Sequence, residues 1–286
     1  MIDAPIGSDA PTGTDPADDG PYLVTTQPVS IPGAAPGRTL PSTVFKPTGA
    51  PTPAAFVVIS PGFQMARTQY TSYARHLATW GFVVALTDYA DQSFFPAHQD
   101  LADDLAAVID WGLGQASLAV DPARIAAAGH SLGGKLSVLA ASDDPRIKAV
   151  VGWDPVDSNA PSVAPERMTN LTAAVAVIGE TTNGSGGGMP CAPAADNFQT
   201  FYAAAPSPAL EMTMTGADHM DWVDDPSCTF CGFCTPGTDA PAVTRTATRR
   251  LNVAWLRRQL DADSAMDPWL ATPPEIGTGH ATVVQK

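Results

Sequence analysis

The sequence predicts an α/β fold, a mostly parallel central sheet flanked by helices, and three observations carry that expectation. Short runs such as Phe56-Val57-Val58-Ile59 and Phe82-Val83-Val84-Ala85-Leu86 are apolar without polar alternation, as strands covered on both faces require. Between such runs lie segments with apolar residues at helical spacing, and the two patterns alternate along the chain. At 286 residues with 44% hydrophobic side chains, the chain can bury one large core.

Residues 22–31 and 41–46 are apolar-polar segments separated by Gly and Pro, which reads as antiparallel strands opening the sheet. Residues 56–60 form the first buried strand, followed by Pro61-Gly62-Phe63 and a helix over about 68–80. The next strand is 82–88. A helix over 96–113 follows, with Leu101, Leu105, Val108, Ile109 and Leu113 on one stripe. Residues 125–129 are a strand leading directly into a helix that contains Lys135-Leu136-Ser137-Val138-Leu139. Strands at 147–153, 173–178 and 210–215 complete the expected sheet, and a helix over 242–260 closes the core.

Residues 1–20 are mostly Asp, Ala, Pro, Thr and Gly with hardly an apolar anchor, so a disordered leader is expected there. Residues 21–264 then form one catalytic domain. Residues 265–286, with Pro268, Pro273 and Pro274 and no periodic pattern, read as a C-terminal tail that wraps the surface or stays loose. Two loops rich in Gly and Pro, 181–193 and 227–240, carry the cysteines and read as stapled surface loops.

Twenty-nine acidic against 15 basic residues give a net charge of −14, which argues against a grip on nucleic acid phosphates. No apolar run approaches the roughly 20 residues needed to cross a bilayer. The leader resembles the spacer that follows an export signal or lipoprotein anchor, with an initiator Met in its place, so a secreted or periplasmic, lipoprotein-anchored protein is expected, as a monomer. Four cysteines, Cys191 and the cluster Cys228, Cys231 and Cys234, then read as two disulfides, with Cys191 joined to one of the cluster; the rival reading is a four-thiolate metal site.

The chemistry centres on Gly129-His130-Ser131-Leu132-Gly133-Gly134, set between a strand and a helix. A strand turning sharply into a helix holds its turn residue in strained geometry and lifts that side chain above the sheet, which makes Ser131 the candidate nucleophile. The Leu132 amide then faces the place where an oxyanion develops. A serine hydroxyl needs a base, and an acid to orient the base. His219 follows the strand 210–215, in the chain position where this architecture carries its base. His76 and His98 read as packing or surface residues, His280 belongs to the tail, and the His130 ring packs or lines the cleft.

For the acid, Asp154 in Trp153-Asp154-Pro155-Val156-Asp157 leads, because it ends the strand after Ser131, where sites of such sheets gather. Glu180, after the strand 173–178, and Asp157 are the alternatives. Phe63 is the expected second oxyanion donor through its amide. Its ring, with His130, Trp153 and Met220, is expected to bind substrate, and Met65, Phe94, Phe95 and Trp222 are further candidates for an apolar cleft.

These residues resemble the chlorophyllase branch of the α/β-hydrolases over about residues 40–260, with platelet-activating-factor acetylhydrolases and cutinase-like polyester hydrolases as more distant kin. The resemblance rests on Gly129 to Lys135, on Asp154-Pro155-Val156-Asp157, on Cys191-Ala192-Pro193 and on His219-Met220-Asp221-Trp222-Val223-Asp224-Asp225. It implies an α/β-hydrolase fold with the acid after the strand that follows the nucleophile, matching Asp154, and the similarity of Ser60-Pro61-Gly62-Phe63 to a polyester hydrolase oxyanion loop again points to Phe63. Leu132 stands where chlorophyllases usually place Arg, a departure that bears on chlorophyll as substrate.

The expected function is a serine carboxylester hydrolase with a Ser131-His219-Asp154 triad, an acyl-enzyme intermediate, a small or polymeric hydrophobic ester substrate and no metal or cofactor. The alternatives are an acetylhydrolase or phospholipase acting on acetylated phospholipids, a non-catalytic binding protein on the same scaffold, and a metal-dependent module organised by the cysteines.

Overall fold

A computed structural model describes residues 13–185, 190–226 and 231–286. Two antiparallel strands open the sheet, β1 (Leu23–Pro32) and β2 (Thr39–Thr48), in register from Leu23 opposite Thr48 to Pro32 opposite Thr39. The parallel body consists of β3 (Ala54–Ser60), β4 (Val83–Thr87), β5 (Val120–His130), β6 (Ile147–Trp153), β7 (Ala174–Glu180) and β8 (Ala209–Met214). With β9 (Ala281–Gln285), they stand in the order β1-β2-β4-β3-β5-β6-β7-β8-β9, the outer strands antiparallel to their neighbours. This is the α/β-hydrolase fold.

The uninterrupted apolar runs follow from burial on both sides. Val57 and Ile59 of β3 join a core with Tyr73 and Leu77 of α1 (Thr71–Thr79) and Leu251 and Trp255 of α5 (Pro241–Leu260). Phe56 and Val58 face the other way, onto Leu105 and Ile109 of α2 (His98–Gly114), Leu136 of α3 (Leu132–Asp143) and Phe201 of α4 (Phe198–Ala204). Successive side chains of a strand point to opposite faces, so a strand between two helical layers has no solvent side on which to carry a polar residue.

Both chain ends depart from expectation. From Asp15 onward the leader is docked: Asp15 pairs with Arg250 at 2.7 Å, and the Asp18 carbonyl accepts from the Trp80 indole at 2.9 Å. Residues 1–12 of the expected leader lie outside the described residues. The tail forms α6 (Asp267–Ala271), α7 (Pro274–Gly277) and β9, which pairs with β8 from Gln285 opposite Leu210 to Ala281 opposite Met214. The strand 210–215 is therefore followed by another, and β9 covers an edge that would otherwise be open.

Cys191 is bonded to Cys234, with Cα atoms 5.6 Å apart, and Cys231 is also disulfide-bonded; Cys228 lies outside the described residues. The bond ties the loop after β7 to the segment that precedes α5. It overturns the four-thiolate metal reading, because thiols joined to each other are not thiolate ligands.

Among the described glycines, the closest approach of one backbone to another lies where β5 turns into α3. A Cβ on Gly133 would stand 2.2 Å from the Ser60 carbonyl oxygen, and one on Gly129 would stand 2.5 Å from the Gly133 carbonyl carbon. Both obstacles are backbone. Gly133→Ala is therefore expected to lower stability by about 1–3 kcal/mol or more, read as a reduced urea midpoint, because the helix must move away from β3.

Candidate active site

Ser131 is the residue of the turn between β5 and α3. Its backbone sits at φ 52°, ψ −115°, a conformation that residues with a Cβ avoid and that persists only where the surroundings enforce it. They do so on both sides: the Ser131 amide donates to the Trp153 carbonyl at 2.9 Å, and the Ser131 carbonyl accepts from Lys135 at 3.1 Å. The side chain is left half-buried at the carboxyl end of the parallel strands.

Asp154 follows β6 immediately and is also held at positive φ, 42°, by a 2.6 Å bond from its amide to the Ile178 carbonyl. It is fully buried. One carboxylate oxygen, Oδ1, accepts from the Glu180 amide at 3.3 Å, and Oδ2 lies 2.6 Å from His219 Nδ1. On the other edge of the imidazole, His219 Nε2 lies 3.0 Å from Ser131 Oγ. Hydroxyl, imidazole and carboxylate thus form one hydrogen-bonded line contributed by three chain segments, with the nucleophile-to-base and base-to-orienter contacts both within catalytic reach.

The loop of His219 is fixed from several directions. Thr182 Oγ1 donates to the Ala217 carbonyl at 2.6 Å, and the Thr238 amide donates to the Gly216 carbonyl at 2.7 Å. Asn183 makes a two-way pair with the backbone of Thr235, donating at 3.0 Å and accepting at 2.8 Å, next to the Cys191–Cys234 bond. The loops after β7 and β8 therefore form one unit around the imidazole.

The two alternative acids have other surroundings. Asp157 pairs with the buried Lys135 at 3.1 Å and accepts from the Val163 and Ala164 amides, so it organises the segment after Asp154 and does not meet His219. Glu180 is buried beside Asp154. Its Oε2 accepts from the Asn183 amide at 2.9 Å while Oε1 has no partner among the described residues. Burial first, and then the charge of Asp154, push its carboxyl up to about 8, which favours the neutral acid around pH 7. Asp154, Glu180 and His219 offer ligand-type atoms within 4.8 Å of one another, and the imidazole Nδ1 is engaged by Asp154.

Phe63 is on the turn after β3, with its ring 40% exposed and set edge-on against Phe94 at 6.3 Å. Gln64 Nε2 donates to the carbonyls of Gln92 and Ser93, which holds the two aromatic loops together. The Phe63 and Leu132 amides find no acceptor among the described residues. Phe95 is exposed, Met220 is half-buried against the core, and Met65 and Trp222 are buried.

Two residues expected on the cleft wall are placed elsewhere. Trp153 is fully buried, packed on Tyr73 with ring centroids 4.6 Å apart and its indole donating to Asn252 at 2.9 Å. His130 is 1% exposed and lies between Tyr70 and His219. Both belong to strand ends whose side chains point into the layer beneath α1 and α5. Tyr70 has no counterpart in the sequence reading, since it meets His130 across 60 residues and no motif marks it.

Comparison with known proteins agrees with this frame. Cutinase 1 of Thermobifida cellulosilytica is 26% identical over 267 residues, covering 91% of this chain and 88% of that protein. Cutinase est2 of Thermobifida alba is 26% identical over 227 residues, 77% of this chain, and the chain spans 65% of the length of that relative, just under two thirds. The bis(hydroxyethyl) terephthalate hydrolase of Streptomyces coelicolor is 25% identical over 266 residues, 89% of this chain and 73% of its own length. The family model described as Chlorophyllase matches residues 14–274, from the docked leader through every parallel strand to the helices of the tail, and the chain belongs to that family.

Proposed function

We propose that this protein is a serine carboxylester hydrolase acting on hydrophobic esters of the polyester type. The observation that carries the reading is the line from Ser131 Oγ through His219 to Asp154, with contacts of 3.0 and 2.6 Å. In the resting state His219 Nδ1 carries the proton donated to Asp154, which leaves Nε2 free to accept from Ser131. As Oγ attacks the ester carbonyl, its proton passes to Nε2, and the Phe63 and Leu132 amides hold the oxyanion. Collapse expels the alcohol, which takes the Nε2 proton, and leaves an acyl group on Ser131. Water then repeats the sequence and releases the acid.

The substrate class is supported by the exposed aromatic pair of Phe63 and Phe94, on the turn that carries one proposed oxyanion donor, and by the names of the relatives, which are cutinases and a terephthalate ester hydrolase. Exposed aromatic rings favour hydrophobic acyl or alcohol groups. A disulfide fits an oxidising compartment, so the enzyme is assigned to the outside of the cytoplasm. Among the described residues, no helix is long and apolar enough to cross a membrane.

Asp154 orients the imidazole and Glu180 does not, because only the Asp154 carboxylate reaches Nδ1. The neutral Glu180 acid leaves the buried group with the single negative charge of Asp154. This arrangement has a cost in stability that grows with pH: the unfolded chain ionises Glu180 near its ordinary 4.5 while the folded chain resists until about 8. A raised folded-state value means that the stability present at low pH is lost as pH rises through this window.

Ser131→Ala is expected to abolish hydrolysis of a short p-nitrophenyl ester and labelling by a fluorophosphonate; retained turnover would end the proposal. Asp154→Asn should lower kcat by about 10³- to 10⁴-fold, measured on the same ester, while Glu180→Gln stays within about threefold of the parent. Melting curves at pH 4.5 and pH 8.5 should show Glu180→Gln gaining several degrees over the parent at the higher pH and little at the lower. A gain equal at both pH values would mean that Glu180 does not carry its proton into the neutral range.

A further inference from the structure

His130 and Tyr70 are buried polar side chains that the proposed reaction does not use, yet they lie between its two halves. Four groups are joined in series: the Gly62 amide and Tyr70 Oη at 3.1 Å, Tyr70 Oη and His130 Nδ1 at 2.9 Å, and His130 Nε2 and the His219 carbonyl at 2.8 Å. The direction of every bond follows from the ends. A carbonyl only accepts, so His130 Nε2 carries the ring proton. Nδ1 of a neutral imidazole is then an acceptor, so the Tyr70 hydroxyl donates to it, and the hydroxyl oxygen is left to accept from the Gly62 N–H. Each donor has one acceptor, and no proton is missing or surplus.

The neutral ring is what the surroundings favour. Burial, and then the neighbouring His219, depress the proton affinity of His130 well below the ordinary histidine range. The ring is packed between His219, at a centroid distance of 4.7 Å, and Trp222, at 6.1 Å and nearly parallel. Tyr70 is itself buried against His130 and Trp153. Contact with the turn after β3 is close: a Cβ on Gly62 would lie 3.0 Å from His130 Nδ1 and 3.2 Å from Tyr70 Oη.

We propose that Tyr70 and His130 are positioning residues that fix the oxyanion-binding turn and the general base in one register, by tethering the Gly62 amide to the His219 carbonyl through a single directed chain of hydrogen bonds. The inference rests on the ester hydrolase reading above. Gly62 immediately precedes Phe63, so holding its N–H anchors one end of the residue whose carbonyl, bonded to the Met65 amide at 3.1 Å, shares a peptide with the Phe63 N–H. The His219 carbonyl belongs to the residue whose ring takes the Ser131 proton. The two partners of the reacting ester thus share a rigid buried link 60 and 89 residues long in sequence terms, which neither loop provides alone.

The test is Tyr70→Phe, which keeps the ring and removes the hydroxyl, with Tyr73→Phe as control. The Tyr73 hydroxyl is equally buried but has no hydrogen-bond partner among the described residues. Tyr70→Phe is expected to lower kcat for p-nitrophenyl butyrate about tenfold with KM within about twofold, and to weaken inhibition by an alkyl boronic acid, a tetrahedral mimic, by the same factor. Tyr73→Phe should leave all three at parent values. Parent kcat and boronate affinity in Tyr70→Phe overturn the proposal, as does an equal fall in both variants. Nitrogen-15 shifts of His130 in the parent protein provide a measurement free of variants: a protonated Nε2 with an acceptor-type Nδ1 from pH 5 to 9 is expected, and a charged ring or the opposite tautomer overturns the chain. Absence of fluorophosphonate labelling at Ser131 in the parent would instead overturn the hydrolase reading on which this inference stands.

Discussion

One backbone conformation governs the rest of the molecule, the left-handed turn at Ser131 between β5 and α3. It places a serine at the rim of the sheet only because α3 can come within van der Waals contact of the end of β3, and that approach leaves no room for a side chain on Gly129 or Gly133. Strain of this kind, of order 1–3 kcal/mol, persists only when the surroundings over-determine it. The hydrogen bond that the Ser131 amide donates to the Trp153 carbonyl and the packing of α3 against β5 and β6 provide that. Asp154, the next residue after Trp153, is also held at positive φ by its bond to β7, so two strained positions at the ends of neighbouring strands lie close together.

The polar groups around this point divide into those that meet the reacting atoms in the proposed mechanism and those that hold them. Lys135 is an instance of the second kind. Fully buried, it is satisfied by the carbonyls of Ser158 and Asn159 and by Asp157, and so it anchors the segment leaving Asp154. Breaking such a buried pair from one side leaves an uncompensated charge, which makes the arrangement rigid although it adds little net stability. Glu180 is the opposite case: a buried carboxyl whose second oxygen has no partner among the described residues and whose surroundings favour the neutral form. A negative charge there would compete with Asp154 for the same imidazole.

The loops after β7 and β8 would be the mobile part of the site if they stood alone, since both are rich in glycine and small polar residues. They are joined to each other by the Asn183 to Thr235 pair, by Thr182 and by the Cys191–Cys234 bond. Cross-linking residues 43 apart restricts chiefly the unfolded chain, yet the bond also confines the loop that carries His219. The aromatic edge formed by Phe63 and Phe94 is, by contrast, exposed and held through backbone carbonyls, which suits a surface that meets substrate.

The alternation of buried runs with amphipathic helices, the glycines around Ser131, and the order of serine, aspartate and histidine were all legible from the amino-acid sequence, because each is local: a period, a turn requirement, or a place at the end of one strand. Ser131, Asp154 and His219 could be named on that basis, and they are the three side chains that the fold brings into hydrogen-bonding distance. Their choice over Glu180 and Asp157 was not fully local, because all three acids end or follow strands on the same side of the sheet. Distance and partner single out Asp154 as the one of the three that meets the imidazole, and these depend on how β6, β7 and the loop after β8 converge. Trp153 read as a cleft residue from its neighbours in sequence and His130 as one that packs or lines the cleft, and the pleat of their strands turns both into the core. The docking of residues 15–20, the ninth strand from a tail with no periodic pattern, and the Tyr70 to His130 to His219 chain were likewise decided by tertiary structure alone, since each depends on a partner dozens or hundreds of residues away that no local pattern specifies.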